Sequence, residues 1–130
     1  MHESVIIATI RDRFPAARAI YVFGSVGRGE AHADSDIDIA IAGQIDPQKM
    51  PDCRFALELA LSLDVDLVHL DSVSTILQKE IVSGGRVLWS ASQTETEMFA
   101  LFVVSSYQKL NSERASILEA GKASGRYYQP

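Results

Sequence analysis

The sequence has 130 residues, of which 47% are hydrophobic and 22% are charged. That length supports one domain with a hydrophobic core, and the composition is that of a globular chain rather than a disordered one. The net charge of −5 argues against long nucleic acid as a partner, because proteins that follow a phosphate backbone carry a basic surface.

Apolar periodicity predicts alternating helices and strands along the chain. The predicted helices cover 3–14, 52–63, 72–82 and 94–120, and the predicted strands cover 19–23, 36–42, 65–70 and 86–89. Phe55, Leu59 and Leu63 are expected to form the buried stripe of the second helix, and Ser72 is the expected N-cap of the third. This order predicts an α/β (α+β) fold, with helices flanking a small mixed sheet and a long helix at the C-terminus.

Two aspartates lie on one face of the second predicted strand. Strict alternation places Asp36 and Asp38 on the same side, about 7 Å apart at Cα, and the isoleucines between them on the other. Their mutual repulsion favours a bound cation, and hard oxygen ligands select Mg²⁺ or Mn²⁺. An isolated Asp-x-Asp is more often part of a solvated strand face, so the pair alone favours that interpretation over a metal site.

The turn that precedes this strand favours the metal interpretation. Gly24 and Ser25 directly follow a buried strand, and further glycines at positions 27 and 29 add backbone freedom. Main-chain N–H groups and the Ser25 hydroxyl can converge on an anion in such a turn. The spacing G-S-x10-D-x-D therefore predicts a phosphate site and a metal site that serve one triphosphate.

The stretch Val22–Ala31, followed by Ser35–Ile39, resembles the signature of the DNA polymerase β-type nucleotidyltransferases. It is most similar to the minimal (MNT) branch, and the resemblance covers about residues 1 to 90. It implies a nucleotidyltransferase fold that resembles the polymerase β palm, with a third metal-binding carboxylate on a neighbouring strand. Asp66 and Asp64 are both candidates, and Asp66 is preferred because it lies inside an apolar run.

The resemblance also implies a role for each candidate residue. Asp36, Asp38 and Asp66 would bind the metal ions, and Asp66 would also accept the proton of the acceptor hydroxyl. Gly24 and Ser25 would hold the β- and γ-phosphates of the nucleotide. Arg28 would either grip a phosphate or form a surface ion pair with a neighbouring acidic residue, and the sequence does not decide between these.

Three further segments resemble the MNT antitoxins, which are partners of HEPN-domain toxins. These segments are Asp71–Leu77, Gly84–Trp89 and Tyr107–Arg114. The resemblance implies a hetero-oligomeric antitoxin that transfers AMP from ATP to a tyrosine of a cognate HEPN ribonuclease toxin and so neutralises it. Two alternatives are transfer to a small hydroxylated molecule and a non-catalytic antitoxin that masks its partner by binding.

The expected organisation is a minimal nucleotidyltransferase domain at 1–90, a helical extension packed on it at 91–120, and a tail at 121–130. The extension either docks the toxin, with Phe102, Tyr107 and Leu110 as candidate anchors, or only covers the sheet. The single cysteine, Cys53, is predicted to be a packing residue. With no disulfide and no apolar run that could span a bilayer, we expect a cytoplasmic protein without a membrane partner.

Overall fold

The computed structural model describes residues 3–24 and 36–123, with side chains as far as residue 117. The strands are β1 (Ala17–Phe23), β2 (Ile37–Gly43), β3 (Val65–His69) and β4 (Arg86–Ser90). The helices are α1 (Glu3–Arg13), α2 (Met50–Leu61), α3 (Thr75–Gly84) and α4 (Gln93–Ala123). One mixed sheet has the order β3-β2-β1-β4, in which β1 is antiparallel to both neighbours and β2 is parallel to β3. The predicted α/β fold with a long C-terminal helix is confirmed.

The two faces of the sheet are covered by different pairs of helices. On one face, Ile37, Ile39 and Ile41 of β2 are at most 1% exposed and pack against α1 and α2. On the other face, small residues of β2 such as Ala40 lie under Ile81 of α3 and near α4. Asp38 shares the strand alternation of Ala40. Its side chain therefore belongs to the face that α3 and α4 cover.

The predicted buried stripe of α2 is wrong. Phe55 and Leu59 are 60% and 68% exposed, and Leu63 lies beyond the end of the helix. The residues of α2 that pack on the core are instead Met50, Cys53, Leu57 and Leu61. Both stripes have helical spacing, so periodicity alone does not distinguish them. Packing against the sheet selects the stripe that contains Cys53, in agreement with its predicted packing role.

The N-cap of α3 also differs from the prediction. Residues Leu70–Ser72 form a 3₁₀ turn, and the helix begins only at Thr75. The hydroxyl of Ser74 accepts a hydrogen bond from the Leu77 N–H at 3.2 Å. A hydroxyl caps a helix only if it reaches the first free N–H groups, so Ser74 and not Ser72 is the cap.

The longest element is α4, whose 31 residues span about 46 Å at ~1.5 Å per residue. It ends three residues after the predicted end at residue 120, because one internal glycine costs a helix only ~1 kcal/mol. Val103 is 1% exposed and Phe99 packs on the sheet, which ties the helix to the core. Within the described part of the chain, no helix is long and apolar enough to cross a membrane.

The C-terminal ends of β2 and β3 are closed by polar contacts. The His69 Nε2 atom lies 2.6 Å from the Gly43 carbonyl oxygen, and the Gly43 N–H donates to Asp71 Oδ1 at 3.1 Å. Arg18 adds an ion pair to Asp71, with 3.5 Å between Nη2 and Oδ2. The side chains of His69 and Asp71 thus bind other groups of the protein at this end of the sheet, whereas Asp38 lies at the opposite end of β2.

The orientation of α2 predicts different costs for two identical substitutions. Leu57→Ala should lower the free energy of unfolding by about 3 kcal/mol, because it leaves a cavity in the core. Leu59→Ala should change that free energy by less than about 1 kcal/mol, since the side chain is solvated. Urea denaturation of both variants measures the difference, and equal costs would contradict the observed orientation.

Candidate active site

The N-terminal end of β2 meets the C-terminal end of β1 at Asp38. Phe23 pairs with Asp38 across the two strands, and Gly24 follows with φ +68°. A Cβ atom on Gly24 would overlap Oδ2 of Asp38. The left-handed backbone therefore favours glycine, and any side chain here would also have to move the Asp38 carboxylate aside. Local sequence pattern predicts only a phosphate turn here, because the close approach depends on the β1–β2 register.

Three carboxylates gather at this end of the sheet. Asp38 and Asp66 are directly paired in the parallel register of β2 and β3, and Asp36 lies one residue before β2. Burial raises the pKa of Asp38, and the charges of Asp66 and then Asp36 raise it further. Asp64 is not among the charges that raise this pKa; its backbone carbonyl instead accepts a hydrogen bond from the Ile37 N–H at 3.0 Å.

The exposure of the three groups suits binding from solvent. Asp38 is half-buried, whereas Asp36 and Asp66 are exposed. All three supply hard oxygen donors, which Mg²⁺ and Mn²⁺ prefer, and a divalent cation would offset the repulsion that raises the Asp38 pKa. The chemistry of the donor set therefore fits a divalent cation.

However, no three His, Cys, Asp or Glu side chains within residues 3–24 and 36–117 are arranged to hold a metal ion. The carboxylates can still raise the pKa of Asp38 at this separation, because Coulomb repulsion acts well beyond the ~2.1 Å of a Mg²⁺–oxygen bond. The carboxylates are neighbours that a cation would draw together.

The remaining predicted site residues are Ser25 and Arg28. Both lie outside the described residues. The structure thus brings Gly24, Asp36, Asp38 and Asp66 to one end of the sheet, and the phosphate-binding roles of Ser25 and Arg28 stay predictions.

Similarity to known proteins covers most of the chain. Residues 6–94 match the family described as Polymerase beta, Nucleotidyltransferase. The protein adenylyltransferase MntA of Shewanella oneidensis is 40% identical over 121 residues, which cover 92% of this chain and 86% of that protein. Its namesake in Thermococcus cleftensis is 39% identical over 85 residues, which cover 62% of this chain and 85% of that protein.

Solved structures are similar over the same extent. A crystal structure of a toxin–antitoxin with AMP-PNP has a TM-score of 0.82 at 39% identity and covers 92% of this chain and 98% of its own. A complex of tri-AMPylated Shewanella oneidensis HEPN toxin with MNT antitoxin has a TM-score of 0.75 at 38% identity, covering 91% and 93%. Matches of this extent take in part of the long C-terminal helix as well as the sheet.

The raised pKa of Asp38 predicts that this residue destabilises the metal-free protein. A carboxyl group whose pKa is higher in the folded state binds its proton more tightly there, so stability falls as pH rises through its titration. We expect Asp38→Asn to melt at a higher temperature than the wild type at pH 7 in EDTA. Asp64→Asn is the matched control and should leave the melting temperature nearly unchanged. A lower melting temperature for Asp38→Asn would contradict the role of repulsion.

Proposed function

The chain belongs to the polymerase beta nucleotidyltransferase family, and from that premise we propose that it is an antitoxin that transfers AMP from ATP to a tyrosine of a cognate HEPN ribonuclease toxin. The observation that carries the proposal is the placement of Asp36, Asp38 and Asp66 at one end of the sheet, beside Gly24. Relatives named as protein adenylyltransferases, and one complex with a tri-AMPylated HEPN toxin, support the choice of acceptor.

Nucleotide binding in this proposal uses the three aspartates and the Gly24–Ser25 turn. Asp36, Asp38 and Asp66 would hold Mg²⁺ or Mn²⁺, which when bound neutralises the triphosphate and lowers the pKa of the acceptor hydroxyl. The backbone N–H groups around Gly24 and the Ser25 hydroxyl would fix the β- and γ-phosphates, and Arg28 would bind a phosphate oxygen through its guanidinium. ATP is thereby aligned with its α-phosphate over the carboxylates.

Transfer then needs one in-line displacement. The tyrosine oxygen forms a bond to the α-phosphorus, the bond from that phosphorus to the α,β-bridging oxygen breaks, and pyrophosphate leaves. Asp66 is exposed beside Asp38 and accepts the phenolic proton in this scheme. Positioning and charge neutralisation supply most of the rate enhancement, so no covalent enzyme intermediate is required.

We propose a separate role for each of three consecutive segments of the chain. Residues 1–90 would form the catalytic unit, 91–120 the helical extension, and 121–130 a tail. Neutralisation of the toxin would proceed in the cytoplasm, where ATP is available.

Toxin recognition is proposed to lie on α4. Met98, Leu101 and Phe102 are 62%, 64% and 67% exposed, and their i, i+3, i+4 spacing aligns them on one stripe. Tyr107 is half-buried, with the Lys79 Nζ atom 5.1 Å from its ring centroid, so we assign it to the α3–α4 contact. Because α4 covers the sheet face to which Asp38 belongs, this stripe lies on the same side of the sheet as the carboxylates.

The proposed reaction is tested with purified toxin, Mg²⁺ and ATP labelled at the α-phosphate. We expect label to appear on a toxin tyrosine with the wild type and to be absent with the Asp36→Asn, Asp38→Asn double variant. Asp66→Asn should lower kcat by about 100-fold or more, because the site loses a metal ligand and a base. Asp64→Asn is the matched control and should stay within about two-fold.

Each alternative outcome points to a different function. Neutralisation of the toxin without any label would favour masking by binding alone. Label on a small hydroxylated molecule and not on the toxin would favour a small acceptor. A larger loss for Asp64→Asn than for Asp66→Asn would contradict the assignment of the third carboxylate.

The docking surface is tested by two matched phenylalanines. Phe102 and Phe55 are similarly exposed, at 67% and 60%, but lie over opposite faces of the sheet. Phe102→Ala should weaken toxin binding by at least about ten-fold, equal to ~1.4 kcal/mol, without changing the melting temperature. Phe55→Ala should leave both quantities unchanged. If only Phe55→Ala weakens binding, the docking surface is α2 and not α4.

A further inference from the structure

Gly85 lies where α3 ends, β4 begins and the end of β1 passes close by. We infer that Gly85 is a positioning residue: by having no side chain, it sets the place of the end of β1 and, through it, of Gly24 and Asp38. The inference rests on the proposed function for its activity measurement only, because the close approach is a property of the fold.

Backbone conformation does not explain why this position is glycine. Gly85 has φ −88° and ψ 177°, a conformation that any L-residue adopts. A glycine after a helix is ordinarily favoured because it adopts positive φ, and that reason is absent here. Its N–H donates to the Ile81 carbonyl at 2.9 Å, which any residue except proline would also do.

The lack of space around Gly85 does explain why this position is glycine. A Cβ atom at Gly85 would lie 2.5 Å from the Ile81 carbonyl oxygen, 2.9 Å from the Val22 carbonyl oxygen and 3.2 Å from Phe23 Cβ. All three atoms are backbone or attached directly to it, so no change of rotamer relieves the overlap. A side chain at Gly85 must therefore shift Gly85 itself, the last turn of α3 or the end of β1.

Displacement of β1 would reach the carboxylates through the sheet. Val22 pairs with Arg86 of β4 on one side and with Ile39 of β2 on the other, and Phe23 pairs with Asp38. Gly24 is the next residue and lies directly against the Asp38 carboxylate. In an active site, a misplacement of about 1 Å can cost ~100-fold in rate. Gly85 thus acts on the site through β1 without touching a substrate.

The neighbouring glycine provides a matched control. Gly84 is exposed, and a Cβ atom there would meet nothing within 4 Å. We therefore compare Gly85→Ala with Gly84→Ala, both measured well below their melting temperatures. Leu57→Ala is the second control, because it destabilises the core on the sheet face opposite to Asp38.

Three measurements separate positioning from general stability. In Gly85→Ala, the NMR amide shifts of Gly24 and Asp38 should change, and Mn²⁺ affinity in the presence of AMP-PNP should fall by at least about five-fold. AMP transfer to the toxin should fall by at least about ten-fold in kcat, while the Kd for the toxin stays within about two-fold. Gly84→Ala and Leu57→Ala should keep Mn²⁺ affinity and kcat within about two-fold of the wild type.

Several results would overturn the inference. One is a Gly85→Ala variant whose Gly24 and Asp38 shifts and kcat match those of Gly84→Ala; another is a loss of kcat no larger than that of Leu57→Ala. Failure of Gly85→Ala to fold even with toxin bound would also overturn it, because Gly85 would then maintain the whole fold. If wild-type protein transfers no AMP, the proposed function fails, and the amide shifts still decide the role of Gly85.

Discussion

Three carboxylates lie at one end of the sheet, where burial of Asp38 and the charges of its neighbours oppose its ionisation. Asp38 is half-buried, and its pKa is raised by burial and by the charges of Asp66 and Asp36. A fold that holds these groups side by side gives up some of its own stability, and a divalent cation would restore it. The hydrophobic packing of the two sheet faces must therefore supply enough free energy to hold the carboxylates in register without a ligand.

That packing is divided between two helical layers, one on each face of the sheet. The layer of α1 and α2 buries the isoleucines of β2, and none of the described residues in its core is a carboxylate. The layer of α3 and α4 covers the face of Asp38, and it also brings Gly85 against the end of β1. His69 and Asp71 make polar contacts at the C-terminal ends of β2 and β3, and the proposed nucleotide site lies at the opposite end.

Much of the candidate site could be predicted from local sequence pattern. Alternation along one strand placed Asp36 and Asp38 on the same face, and the adjacent Gly24–Ser25 turn raised the expectation of a nucleotide site. The preference for Asp66 over Asp64 rested on its place inside an apolar run, and the register of β2 and β3 puts it beside Asp38. Such features are local because strand alternation has a period of two and needs only neighbouring residues.

Periodicity and short spacing were enough to predict the element types, the mixed sheet and the carboxylate pair. Packing against the sheet was needed to show which stripe of α2 is buried, because Cys53–Leu57 and Phe55–Leu59 have the same helical spacing. The close contacts of Gly24 with Asp38 and of Gly85 with Val22 were also beyond local pattern. They join segments that are far apart in the chain, so they form only once strands pair and helices pack.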